Sequence, residues 1–196
     1  MERASKTAGG FIMAEKKLAG RKVLMVVAPD QFRDEELLEP KKILEQEGAE
    51  VIVASTQPGE ARGMLGARVR PDRQLSEVKA AEFDAVTVVG GMGSPEHLWD
   101  NSTLHGILRE MKQSEKVVSA ICLSGAALAK AGVLEGKAAT VWPMPESLKA
   151  LAEGKAKYQE KPVVQDGRVI TANGPEAARE FGQTIVKELS RTAASV

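Results

Sequence analysis

The stretch Val117-Val118-Ser119-Ala120-Ile121-Cys122-Leu123-Ser124-Gly125-Ala126-Ala127-Leu128 changes character at one residue. Before Cys122 it is an apolar run of strand length; after it, an Ala- and Leu-rich run suited to a helix. A buried strand that turns sharply into a helix leaves the intervening side chain at the strand's C-terminal end. There it stands over N–H groups of the first helical turn that have no partner within the helix. Enzymes of the α/β class present nucleophiles in this way, and such a setting is expected to lower a thiol pKa and make the sulfur reactive.

Working outward, Lys22–Ala28 (KVLMVVA) is a near-continuous apolar run, as a strand buried on both faces requires. A helix is predicted over Asp34–Gly48, with Gly48 as its stop and Pro40 either in the first turn or kinking it. Further strands are predicted at Glu50–Ser55 and at Asp84–Val89, the latter running into Gly90-Gly91. Between them, Gln57–Arg73 is rich in Gly, Pro and Arg and reads as a loop with short strands. Asn101–Ser114 is an amphipathic helix, with Leu104, Ile107, Leu108 and Met111 at i, i+3, i+4, i+7. After the Cys122 elbow, a helix over Leu123–Ala131 ends at Gly132. Short strands are expected at Ala138–Trp142, Val163–Gln165 and Val169–Ala172, with a helix over Pro145–Glu153 between the first two. Gly174-Pro175 opens a last helix whose core face carries Phe181, Ile185 and Leu189. Strands alternating with helices imply βαβ units and a mostly parallel sheet covered on both faces. Ligands of such sheets bind at the C-terminal ends of the strands.

The chain has 196 residues, enough for one well-buried core, and no linker divides it. Residues 1–20 read as a flexible leader, with Met13 an alternative start, and residues 21–196 as a single domain. Equal numbers of basic and acidic side chains, 27 of each, suggest neither nucleic acid nor an anionic membrane as a partner. No apolar run is long enough to span a bilayer. The single cysteine rules out an intrachain disulfide and supplies no metal cluster, which fits a reducing, cytoplasmic setting.

Three strand ends therefore meet on one rim. The first leads to the acidic cluster Asp34, Glu35, Glu36; the next delivers Gly90-Gly91; the last delivers Cys122. Consecutive glycines let backbone N–H groups approach a bound oxygen, as an oxyanion hole requires. A carboxyl beside a thiolate is stable if it keeps its proton and donates it to sulfur, and it can then shuttle that proton in a reaction. Each feature also has a plain structural reading: a lone cysteine is by default an inert buried thiol, and acids in a first helical turn usually sit in solvent. By that rule Asp34 and Glu35 read as a solvated helix start, and His105 as a surface residue. His97 and Trp142 are candidate pocket-lining residues.

Four segments carry a family resemblance. They are Phe32-Arg33-Asp34-Glu35-Glu36-Leu37-Leu38-Glu39-Pro40; Val88-Val89-Gly90-Gly91; Ala120-Ile121-Cys122 with Ala131-Gly132-Val133-Leu134; and Asp166-Gly167-Arg168-Val169-Ile170-Thr171 leading to Gly174-Pro175. In this order the chain resembles the PfpI-like superfamily, which includes the so-called intracellular proteases and the Parkinson-associated protein deglycase. The resemblance implies a flavodoxin-like three-layer sandwich, a homodimer or higher homo-oligomer, and an oxidisable, nucleophilic Cys122 on a strained elbow. It implies that Glu36 sits against that cysteine, that Gly91 and the backbone N–H of Leu123 bind an oxyanion, and that Gly90 shapes the turn.

The chain departs from the pattern at two places. Protease-like members carry histidine after the cysteine, where this chain has Leu123. Human-like members carry one before the following proline, where it has Trp142-Pro143. Without a matched histidine, peptide hydrolysis lacks a base to activate the sulfur and an acid for the leaving amine. Addition of sulfur to an aldehyde expels no amine and needs less. The expectation is a cofactor-independent, cysteine-dependent stress-response enzyme of the glyoxalase or deglycase type. It would act on a small carbonyl substrate or a glycated protein, with no metal. The alternatives are a redox-sensing or protective protein with an oxidisable Cys122 and little turnover, and, more weakly, an intracellular cysteine peptidase.

Overall fold

The computed structural model describes residues 15–193. Most of the expected leader, including Met13, lies outside the described residues, but its end is packed rather than loose. Leu18 is fully buried and its N–H donates to the Glu47 carbonyl at 2.8 Å, so the packed domain begins before residue 21.

Seven strands form the central sheet: β1 (Lys22–Val27), β2 (Glu50–Ser55), β3 (Arg73–Gln74), β4 (Ala85–Val88), β5 (Val117–Ile121), β6 (Val163–Asp166) and β7 (Val169–Ala172). Their spatial order is β6-β7-β5-β4-β1-β2-β3, and every pairing is parallel except the β6–β7 hairpin. Helices α1 (Asp34–Gln46), α2 (Ser102–Gln113), α3 (Gly125–Lys130), α4 (Pro145–Glu153) and α5 (Ala178–Ala193) complete a flavodoxin-like three-layer sandwich. Helices α1 and α5 pack on each other, and α2 and α3 pack against β5. The apolar runs explain the centre: Val23 to Val27 and Val117 to Ile121 are wholly buried, as parallel strands covered on both faces must be. In α2, Asn101 Oδ1 caps the helix by accepting the Leu104 N–H at 2.9 Å, and the four residues of the predicted apolar stripe are buried.

Some local expectations shift. Pro40 is the seventh residue of α1 and buried, so it stands in the helix interior, where it has no N–H to donate to the Glu36 carbonyl. Only Ala138–Ala139 of the expected Ala138–Trp142 strand forms, paired with Lys157–Tyr158 outside the main sheet. The chain then turns so that the Trp142 N–H donates to the Cys122 carbonyl at 3.3 Å. The segment between β2 and β3 contains the hairpin Ala61–Gly63 and Arg68–Val69, and Asp30–Phe32 joins it as a third strand. This small sheet places residues 63–67 beside the C-terminal ends of the main strands. No helix among the described residues is long and apolar enough to cross a membrane.

Candidate active site

Cys122 has φ +59°, a conformation in which a non-glycine residue is strained by on the order of 1–3 kcal/mol. The surroundings hold it there. Ser124 Oγ lies 2.6 Å from the Val89 carbonyl, to which it donates, and 2.7 Å from Ser94 Oγ. Trp99 Nε1 donates to the Leu123 carbonyl at 2.8 Å, and the His105 ring nitrogen donates in turn to the Trp99 carbonyl at 2.7 Å. His105 is therefore half-buried in a chain of hydrogen bonds behind the elbow instead of being a plain surface residue.

The three acids that open α1 go to three different places. Asp34 is 6% exposed, and its carboxylate accepts the N–H groups of Leu65 and Ala67 at 2.8 and 2.7 Å, which latches the hairpin turn to the helix start. Glu35 takes a two-pronged ion pair from Arg33 Nε and Nη2, at 2.8 and 3.0 Å, which holds its carboxyl below the usual range. Glu36 points inward and is completely buried; its Oε2 accepts the Gly90 N–H at 3.0 Å. The expectation of a solvated helix start thus fails for Asp34 and is half right for Glu35.

Gly90 marks the point where the site converges. A methyl group there would lie 2.4 Å from Glu36 Oε2 and 2.6 Å from the Cys122 Cβ, so nothing larger than glycine fits between them. Glu36 Oε1 has no hydrogen-bond partner among the described residues. A buried carboxylate with a single donor is costly, and burial pushes the Glu36 carboxyl up to about 8, leaving it mostly protonated at neutral pH. Cys122 acts on this carboxyl as a thiol donating to a carboxylate would, lowering Glu36 while Glu36 raises Cys122, although burial outweighs that effect on Glu36.

The thiol behaves differently from the sequence expectation. Burial first, and the charge of an ionised Glu36 second, push Cys122 up to about 12, while the backbone N–H groups of Leu123 and Gly91 act in the opposite direction. The elbow enters a short 3-10 turn, Cys122–Ser124, before α3, so two N–H donors stand against the desolvation of a side chain that is only 7% exposed. Sulfur and carboxyl titrate as one unit. Their first proton leaves near pH 8 and the second only far above it, so around neutrality the pair holds both protons with a minor singly charged form.

A cavity of about 150 Å³ opens over this pair. Gly91 and Leu123 line it together with Glu36 and Cys122, and Arg33 stands at its side. Its other walls are apolar: Met64 and Met92, both exposed, Trp142, 46% exposed, and Pro175. Trp142 therefore lies where it was expected, and His97 does not. His97 ends the helical turn Ser94–His97 and is 3.9 Å from Glu96, away from the lining. Sequence reasoning gave no role to Arg33, which lines the cavity. A larger groove of about 680 Å³ between α1 and α5 contains no cysteine, and the one hydroxyl lining it, Ser190 Oγ, donates to the Val186 carbonyl at 2.7 Å. Among the described residues, no group of three or more histidine, cysteine or acidic side chains is arranged to hold a metal.

Comparison with known proteins places these residues in a wider setting. Residues 21–188 match the DJ-1/PfpI family. An uncharacterized protein of Methanocaldococcus jannaschii is 45% identical over 176 residues, covering 90% of this chain and 86% of the relative. A protein of Pyrococcus abyssi named a deglycase is 33% identical over 166 residues, covering 85% of this chain and 98% of its own. Among solved structures, a ThiJ/PfpI domain protein from Brachyspira murdochii superposes with a TM-score of 0.81 at 36% identity, covering 87% of this chain and 96% of that one.

Proposed function

The chain belongs to the DJ-1/PfpI family, and from that premise we propose a cysteine-dependent, cofactor-independent stress-response enzyme of glyoxalase or deglycase type, acting on small reactive carbonyls or glycated adducts. The observation that carries this reading is the buried Glu36 carboxyl, held through one oxygen by Gly90 and unpartnered at the other beside the only thiol. A general base works best when its pKa lies near the working pH, and Glu36 at about 8 meets that condition.

The ionised fraction of Glu36 takes the Cys122 proton as sulfur attacks an aldehyde carbon. The S–C bond forms, the carbonyl π pair moves to oxygen, and the N–H groups of Gly91 and Leu123 receive the alkoxide. Glu36 then returns the proton to that oxygen, giving a hemithioacetal and restoring the carboxylate. With methylglyoxal, the same carboxylate moves the former aldehyde hydrogen as a proton through an enediol to the neighbouring carbon. Water hydrolyses the resulting thioester, so that methylglyoxal plus water becomes lactate and the thiol is regenerated. The apolar walls suit a substrate of this size. The exposed Met64, Met92 and Trp142 around the mouth, with exposed Leu65 next to Met64 in the chain, support the expected self-association.

Purified protein is expected to consume methylglyoxal, and Cys122→Ala to lose at least about 100-fold of that rate, the scale on which removal of a covalent nucleophile is felt. Equal consumption by both proteins would sink the proposal. A second reading, an oxidisable cysteine with little turnover, is favoured by the absence of any histidine from the cavity lining. It predicts that peroxide adds two oxygen atoms to Cys122 by intact mass while methylglyoxal is not consumed. Peptide hydrolysis is the reading this site supports least, since the same absence leaves the departing amine without an acid beyond Glu36.

The shared proton has a pH signature. Alkylation of Cys122 by iodoacetamide is expected to accelerate through about pH 8, where the pair first ionises. In Glu36→Gln that wave disappears, because the amide cannot accept the proton. Rates followed by intact mass across the neutral and alkaline range check this, and an unchanged wave in the variant contradicts a shared proton.

A further inference from the structure

We propose that Arg33 sets the substrate charge of this pocket, selecting small carbonyl compounds that carry a carboxylate or similar anionic group over neutral ones of equal size. The inference rests on the thiol-addition reading above and adds the substrate class to it. Arg33 and Glu36 are the charged side chains lining the cavity, and the remaining walls are apolar or backbone. An anion entering this space has one counter-charge available, and low-dielectric walls strengthen what it feels.

The guanidinium is fixed for the purpose. Its backbone N–H donates to the Gly90 carbonyl at 3.0 Å, which ties the root of the side chain to the glycine rim. Glu35 takes Nε and Nη2 in a fork, and no other described residue bonds the guanidinium, so the Nη1 donors remain for a ligand. The side chain is 28% exposed, enough to reach solvent-borne anions without being loose in solvent. Its charge reaches the reacting groups: Arg33 lowers Glu36, and both Glu36 and Cys122 raise Arg33. A carbonyl compound bound over sulfur therefore shares its cavity with a cation.

Because Cys122 is the only cysteine, charge selection can be read without turnover, by alkylating it with iodoacetate and with iodoacetamide, reagents of nearly equal size that differ by one charge. The ratio of the two rates near neutral pH, divided by the same ratio for glutathione, is expected to be raised about tenfold in the wild type and to fall with added salt. Arg33→Gln should return it to the glutathione value, and Glu35→Gln, which removes the competing carboxylate, should raise it. Glyoxylate should also protect Cys122 from iodoacetamide at about tenfold lower concentration than methylglyoxal. A wild-type ratio equal to that of glutathione, or a raised ratio that survives Arg33→Gln, overturns the proposal. If Arg33→Gln does not fold, the wild-type ratio and its salt dependence decide alone. Methylglyoxal consumption with an ordinary ratio leaves the enzyme reading standing without Arg33. A raised ratio without any carbonyl consumption leaves the charge selection and removes the enzyme.

Discussion

Replacing Glu36 by glutamine is expected to stabilise the fold at pH 8 by about 3–5 kcal/mol and to change it little at pH 4. The sign follows from where the proton resides. In the unfolded chain the carboxyl ionises near its ordinary 4.5, whereas in the folded protein it keeps its proton up to about 8. Between those values unfolding releases a proton, so wild-type stability falls as pH rises through that window; below it both states are protonated and nothing is lost. Glutamine carries no ionisable proton, keeps an oxygen for the Gly90 N–H, and so removes the slope. Urea denaturation at several pH values checks this. Parallel wild-type and variant curves from pH 4 to 8 would show that the buried carboxyl carries no such penalty. A variant more stable at pH 8 would mean that the buried carboxyl is kept at a cost in stability.

Gly91→Ala is expected to destabilise the fold by at least about 4 kcal/mol, a drop in melting temperature of about 10 °C or more, or to prevent folding. Gly91 has φ +108°, where a side chain is strained whatever the space around it. An added methyl would also lie 2.4 Å from both the Arg33 nitrogen and the Gln31 oxygen, and these are backbone atoms with nowhere to retreat. Gly59 separates the two causes: its φ is +96° and nothing stands within 4 Å of a methyl placed there. Gly59→Ala should therefore cost only the strain, about 1 kcal/mol. If the two variants melt together, the tight seating of residues 31–33 against the glycine rim is not what holds this edge of the site.

Much of the fold is legible in the chain because its central strands are buried on both sides, and runs such as KVLMVV and VVSAI have few other uses. The elbow is legible for the same reason, since the apolar run stops at Cys122. What escapes is decided by partners distant in sequence. The Asp30–Phe32 strand exists only because the hairpin at 61–69 lies beside it, and Asp34 is buried only because two N–H groups of that hairpin's turn need an acceptor. Trp142 ends no strand, because its N–H is taken by the Cys122 carbonyl. The direction of the thiol shift was likewise invisible: an elbow supplies donors, but residue order does not reveal how deeply the sulfur is enclosed or that a second titrating group shares its cavity.

Three consecutive acids at the start of α1 do unrelated jobs: one fastens a loop, one orients an arginine, one faces the sulfur. Successive positions of a helix are turned by about 100° from each other. Adding or deleting a single residue between Phe32 and Glu36 would leave composition and net charge almost untouched, yet hand every acid its neighbour's post. This stretch is therefore constrained in length as well as in chemistry, because each acid's post depends on its angle around the helix.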